Sequence, residues 1–141
     1  MSSIFVSDKD SFEVTVYYCR EGEKFSVRNG KGFSESEKKA KDYKSITITC
    51  KTPSWIDAKV IVRECTRFEN GRGNINFSEL HTQLLRMLIK GWDMKDEDGV
   101  TDLPFSLDQL DIMRPEIARG LVDAVLQKLI EDGIYESILM S

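Results

Sequence analysis

The sequence predicts an α+β domain in which a short antiparallel sheet of about three strands is followed by three to four helices. Apolar and polar residues alternate along several stretches before residue 52, as they do in half-buried strands. Beyond residue 52 apolar residues recur every three or four positions, as in amphipathic helices. The 141 residues fit a single domain, 1–141, with a β-rich part at 1–51 and a helical part at 52–141.

Two segments of the β-rich part show strand periodicity. Residues 12–28 alternate in two runs around a Glu-Gly turn and predict a β-hairpin, and residues 44–51 predict a third strand. Residues 3–7 could add a weak further strand. The residues that share one face in these strands are Phe12, Val14, Val16, Tyr18, Ile46, Ile48 and Cys50.

Residues 29–43 separate the hairpin from the third strand. Glycines break the alternation at the start of this segment, and Ser, Glu and Lys dominate its remainder, which predicts a mobile, solvated loop. The alternative is a basic tip at residues 38–41 that orders on a partner, with Phe33 as its anchor.

Capping patterns mark where the first two helices start. Ser54 with Asp57 predicts a helix that continues to the glycines of residues 69–74, and Asn76 with Glu79 predicts a second helix that ends near Gly91. On the first helix, the residues predicted to share one face are Trp55, Ala58, Val62 and Cys65. The second is predicted to bury Leu80, Leu84, Leu85, Met87, Leu88 and Ile89, with a hydrogen-bonded structural His81 at the edge of this stripe.

The last helices come after an acidic stretch. Ser106 and Gln109 cap a short helix, and Pro115 opens the longest one, at residues 115–132. Its apolar stripe is predicted to contain Ile117, Leu121, Val125 and Leu129. Gly120 in mid-helix costs about 1 kcal/mol relative to Ala, which a close helix–helix contact would explain.

The acidic stretch at residues 93–102 is the first candidate for chemistry, because it has four carboxylates in six residues. An EF-hand loop with Gly99 at its sixth position would place Met94 first and Phe105 last, and neither side chain can bind calcium. The sequence therefore predicts a structural turn whose ends Trp92 and Phe105 fix to the core, with no catalytic, cofactor-binding or metal-ligating residue. A calcium site or an enzyme that uses this loop is the low-ranked alternative.

Charge and cysteine content narrow the class of partner. Residues 1–54 hold 10 basic and 8 acidic residues and residues 55–141 hold 10 and 16, so the two parts carry +2 and −6. An acidic helical part is repelled by phosphate, and no apolar run reaches the ~20 residues of a membrane span, so neither nucleic acid nor membrane is expected as a partner. The odd number of cysteines, without a Cys-x-x-Cys pair or a signal peptide, predicts buried free thiols in a cytoplasmic protein.

One order of motifs resembles a known family. Trp92-Asp93 is followed by Asp96-Glu97-Asp98-Gly99, and then by Leu103-Pro104-Phe105-Ser106 and Pro115-Glu116-Ile117. Over about residues 55–130 this order resembles small tail assembly chaperones of tailed bacteriophages. The resemblance implies a non-enzymatic protein that binds the tape-measure and tail-tube proteins while the tail forms in the host cytoplasm.

Two further interpretations stand beside this one. The protein could instead be a structural virion component of the tail or of the head–tail connector, and it could form a homo-oligomer. In either case it is expected to work by contacting other proteins, because residues 134–140 form an apolar tail that packs on the domain or docks on a partner. The residues expected at a partner contact are Trp92, Phe105, Ile134, Tyr135, Ile138 and Leu139.

Overall fold

The computed structural model describes residues 4–140, apart from the side chain of Ala40, as an α+β fold. The strands are β1 (Ser11–Glu21), β2 (Lys24–Asn29), β3 (Lys44–Lys51), β4 (Thr66–Glu69), β5 (Arg72–Ile75) and β6 (Ile89–Trp92). The helices are α1 (Glu35–Ala40), α2 (Trp55–Glu64), α3 (Phe77–Leu88), α4 (Leu107–Asp111), α5 (Pro115–Glu131) and α6 (Ile134–Leu139).

An antiparallel sheet of four strands in the order β2-β1-β3-β6 forms one layer of the fold. Val16 pairs with Ile46 and Val14 pairs with Ile48, so the apolar residues of both strands point to the same face, as their alternation predicts. Residue 3 of the weak N-terminal strand lies outside the described residues, and residues 4–7 form no strand. The fourth strand is β6 instead.

The apolar face of the sheet is covered by helices, and α5 contacts both β1 and β2. The predicted stripe of α5 is buried in this contact, and α3 and α6 pack against α5 in turn. Gly120 lies where α5 crosses β2: a Cβ atom at this position would come within 2.4 Å of Val27 Cγ1. The close approach that Gly120 indicated therefore exists, but its partner is a strand and not a helix.

The predicted first helix is too long. The capping box of Ser54 and Asp57 opens α2 as expected, but α2 ends at Glu64, and residues 66–75 form the antiparallel β4–β5 hairpin. Asn70 and Gly71 both have positive φ and turn the hairpin. The prediction for Trp55 is also wrong, since this side chain is 70% exposed and only the other side of α2 is buried.

The predicted second helix also changes type before its end. It begins after its Asn76 cap, but α3 ends at Leu88 and residues 89–92 pair with β3. Helical periodicity continues through Ile89, so local sequence gives no sign of the change. The free edge of β3 decides it, because its backbone N–H and C=O groups need partners and an adjacent extended segment supplies them.

Residues 29–43 do not form the irregular loop that their composition predicts. They contain α1, which Ser34 caps by accepting a hydrogen bond from the backbone N–H of Glu37. The Phe33 ring is buried against Tyr17 and Tyr43, with ring centroids 5.3 and 4.9 Å away, on the opposite face of the sheet from α5. Phe33 is thus an anchor, but it anchors the segment to its own sheet.

Replacing Gly120 by alanine should destabilise the protein. The new methyl group would overlap Val27, whose β-branched side chain has little freedom to move away, and overpacking of this kind costs about 1–3 kcal/mol. The better helix propensity of alanine returns about 1 kcal/mol of this. Urea denaturation of Gly120→Ala should therefore show a net loss of up to about 2 kcal/mol in the free energy of unfolding.

The matched control is the double variant Val27→Ala/Gly120→Ala. Removing the two Val27 methyl groups makes space for the new Cβ, so the double variant should lose less than the sum of the two single losses. Additive losses would show that the α5–β2 approach is not what selects glycine at this position.

Candidate protein-interaction surface

The acidic connection between β6 and α4 is held at both ends by aromatic side chains. The Trp92 and Phe105 rings meet edge to face with centroids 4.9 Å apart, and Trp92 Nε1 donates a hydrogen bond of 2.8 Å to the Leu103 carbonyl oxygen. Both rings are half-buried against the core. They fix the ends of the connection, as predicted, and this contact occupies much of the surface that each ring could offer to a partner.

Asp98 organises the turn inside this connection. Its carboxylate accepts hydrogen bonds from the backbone N–H groups of Val100 and Thr101 and from the Thr101 hydroxyl group. Gly99 follows with φ +73°, a conformation that glycine adopts without strain. These hydrogen bonds, the Thr101 hydroxyl first, lower the pKa of Asp98 to about 2. The carboxylate is thus used to hold the turn.

Asp93 and Asp102 in the same connection have structural partners too. Asp93 accepts a hydrogen bond of 2.8 Å from the backbone N–H of Thr47, which joins the loop to β3. Lys95 and Asp102 form an ion pair across the two strands of the loop. Across residues 4–140, no group of three or more His, Cys, Asp or Glu side chains is placed to hold a metal ion.

His81 and the cysteines occupy structural positions. His81 Nε2 lies 2.9 Å from the Tyr135 hydroxyl oxygen, a hydrogen bond that joins α3 to α6, and burial lowers the pKa of the imidazole. Cys19, Cys50 and Cys65 are free and buried, as predicted. Burial raises the pKa of the Cys50 thiol to about 12, which disfavours the reactive thiolate.

The apolar C-terminal tail packs on the domain. Residues 134–139 form α6, whose Ile138 is only 2% exposed and lies in the core. Ile134, Tyr135 and Leu139 are half-buried against the same core. Ile138 is therefore covered in this conformation, and the other three residues predicted as partner contacts present only part of their surface.

The sequence prediction missed a different apolar surface, the groove between α2 and the β4–β5 hairpin, here called the α2 groove. It has a volume of about 370 Å³. Ile56 and Phe68 on its walls are 59% and 77% exposed. The uncharged residues that line it are Ile56, Val60, Val62, Thr66 and Phe68.

Several contacts hold the hairpin in place beside α2. Thr66 Oγ1 donates a hydrogen bond of 2.6 Å to the Val62 carbonyl oxygen, and Arg67 forms an ion pair of 3.0 Å with Glu79 on α3. Phe68 pairs across the hairpin with Gly73, where a Cβ atom would lie 3.2 Å from the phenyl ring. The groove is therefore preformed in the folded chain.

One feature of the sequence could have indicated this groove. Six of the ten residues of α2 are apolar, more than one buried face requires. Ala58 and Ile61 occupy the buried face, so the remaining apolar residues must lie elsewhere on the helix. The hairpin that forms the second wall could not be predicted in this way, because its polar and glycine-rich sequence predicts an irregular end of the helix.

Substitution of Asp98 by asparagine should change how stability depends on pH. Because the folded state lowers the pKa of Asp98 from 3.8 to about 2, its contribution to stability is present above pH 4 and is lost as the pH falls through about 2. Urea denaturation at pH 6 and at pH 2.5 should therefore show a smaller acid-induced loss of stability in Asp98→Asn than in the unchanged protein.

The control is Glu97→Gln in the same loop, because the Glu97 side chain forms no hydrogen bond or ion pair with residues 4–140. This variant should keep the acid response of the unchanged protein. If calcium bound tightly at one site and raised the melting temperature, and Asp98→Asn abolished the effect, the structural role of this loop would be refuted.

The chain has no match among known protein families, curated proteins or solved structures. The likeness to tail assembly chaperones therefore rests on the motifs within residues 55–130 alone. Among residues 4–140, no helix is both long and apolar enough to cross a membrane.

Proposed function

We propose that this protein is a non-enzymatic accessory of bacteriophage tail assembly that binds the tape-measure and tail-tube proteins through the α2 groove. The observation that carries the proposal is that the exposed side chains of Ile56 and Phe68 lie together in one groove with an apolar lining. Apolar side chains that line one groove mark a site where another molecule binds, whereas singly scattered ones do not. The motif order around residues 92–117 supplies the phage context.

The position of the groove supports a role in binding. Ala58, Ile61 and Cys65 on the opposite side of α2 are buried and hold the helix on the domain. Ile56 and Phe68 are largely exposed, so a partner can cover them without disturbing the core. A chaperone requires such a surface, since it must bind apolar segments of its partner and later release them.

The acidic connection favours the same conclusion over an enzyme. A general acid at neutral pH needs a carboxyl group with a raised pKa, whereas the pKa of Asp98 is lowered to about 2. The side chains of Asp93 and Asp102 are also engaged, in contacts that hold the loop. We therefore assign the loop a role in shape and surface charge.

An assembly chaperone and a virion component differ in where the protein ends up. A chaperone acts in the host cytoplasm during assembly and is absent from the finished particle, whereas a component remains in it. Mass spectrometry of purified particles distinguishes the two. Detection in stoichiometric amounts would replace the chaperone role with that of a tail or connector protein.

The double substitution Ile56→Ser/Phe68→Ser should weaken partner binding and leave the fold intact. Each side chain would bury apolar surface worth about 1–2 kcal/mol in a complex, so the pair should weaken binding by at least about tenfold. The measurement is co-purification of the tagged protein with the co-expressed tape-measure protein of the same phage, quantified by mass spectrometry.

The matched control is Val100→Ser/Ile112→Ser, which removes two apolar side chains that are 79% and 76% exposed but lie away from the groove. This variant should bind as the unchanged protein does. Absence of the tape-measure and tail-tube proteins from the complex of the unchanged protein would overturn the proposed function, and equal binding by both variants would remove the groove from it.

A further inference from the structure

The rim of the α2 groove carries two positive charges with no carboxylate partner. Lys59 and Arg63 both line the groove and are exposed. Neither forms an ion pair with any side chain in residues 4–140, although nine such pairs occur there. The groove thus combines an apolar floor with a basic rim, on a chain whose net charge is −4.

The spacing of the two cations makes this arrangement unfavourable in the isolated helix. Residues four apart lie on the same side of a helix, and like charges at this spacing destabilise it. The Lys59 ammonium group lies 4.8 Å from the centroid of the Trp55 ring, which keeps it along α2 at the end of the groove. A carboxylate from outside the chain would relieve the repulsion between Lys59 and Arg63.

The α2 wall of the groove favours a helical occupant. The α2 wall offers only side chains, because its backbone N–H and C=O groups are paired within the helix. An extended segment lying along α2 would find no partners there for its own backbone groups, and burying them unpaired costs free energy. A helix satisfies these groups internally, so a helix is the form that fits along this wall.

The size of the groove determines how many side chains enter it. A volume of about 370 Å³ accommodates two or three apolar side chains of the size of leucine. On a helix, such anchors lie on one face when they are three or four residues apart. Acidic residues beside these anchors would then reach the rim of the groove at Lys59 and Arg63.

We infer that the α2 groove binds an acidic amphipathic helix of a partner protein, with two leucine-like anchors on the apolar floor and carboxylates paired with Lys59 and Arg63. This inference rests on the proposed function in one respect, namely that the groove is the binding surface. It adds the chemistry of the ligand: helical, apolar on one face and negatively charged beside that face.

The direct test uses two synthetic helical peptides of about 16 residues, a length at which an alanine-rich helix is stable enough to study. Both carry leucines four positions apart; one has glutamates on the flanking positions and its twin has lysines there. Fluorescence anisotropy with the unchanged protein should show that the glutamate peptide binds about tenfold or more tightly than the lysine peptide at low salt. Equal affinities would overturn the acidic requirement.

Charge reversal of the rim provides the second arm. Lys59→Glu/Arg63→Glu should weaken binding of the glutamate peptide by about tenfold and should strengthen binding of the lysine peptide. The control is Lys24→Glu/Lys44→Glu, which changes the net charge equally at two exposed lysines that form no ion pair within residues 4–140. If both variants had the same effect, net charge alone would explain the preference.

The binding position is checked separately by the amide chemical shifts of the isotope-labelled protein. The glutamate peptide should shift the resonances of α2 and β4 and leave those of β1 and β2 unchanged. Failure of both peptides to bind would overturn the inference while leaving the co-purification with the tape-measure protein as an independent measure of the proposed function. Co-purification that is lost in Ile56→Ser/Phe68→Ser but kept in Lys59→Glu/Arg63→Glu would retain the groove and reject the acidic ligand.

Discussion

The packing of α5 on the apolar face of the sheet is the contact on which the rest of the structure depends. A small sheet of this kind is marginal in water until one face is covered. The α5 stripe provides that cover, and Gly120 lets the helix approach Val27 without a side chain between them. The other large helix, α3, and the C-terminal α6 are then placed by their contacts with α5.

The edge of the same sheet explains the acidic connection. Pairing of β6 with β3 extends the chain after α3 and brings Trp92 to a fixed position opposite Ile48. From there Trp92 contacts both Phe105 and the Leu103 carbonyl oxygen. The two ends of the connection therefore lie side by side. The carboxylates between these anchors then hold a compact turn, and the charge that first suggested a metal site becomes part of the loop's own hydrogen bonding.

Helix α2 serves both the core and the proposed binding surface. Its buried side includes Ala58 and Ile61, and its exposed side forms one wall of the α2 groove. The second wall, the β4–β5 hairpin, is tied to α2 by Thr66 and to α3 by the Arg67–Glu79 ion pair. The hairpin is mostly exposed, so in the proposed complex it would contact the partner together with the basic rim of Lys59 and Arg63.

The sequence by itself determined the α+β class, the first three strands and the start of each predicted helix. These features depend on neighbours along the chain: alternation fixes the faces of β1 and β3, and caps such as Ser54 and Asn76 act within three residues. The free buried cysteines and the structural His81 also followed from composition and pattern. Tertiary structure decided where the helices end, because the free edge of β3 draws residues 89–92 out of a helical pattern.

Long-range contacts also decided the burial of Phe33 and the exposure of Trp55, since each depends on residues distant in sequence or on which side of a helix meets the core. The α2 groove is also decided by long-range contacts. Its walls come from α2 and from a hairpin that local sequence does not predict, and a surface made by two elements exists only once both are in place.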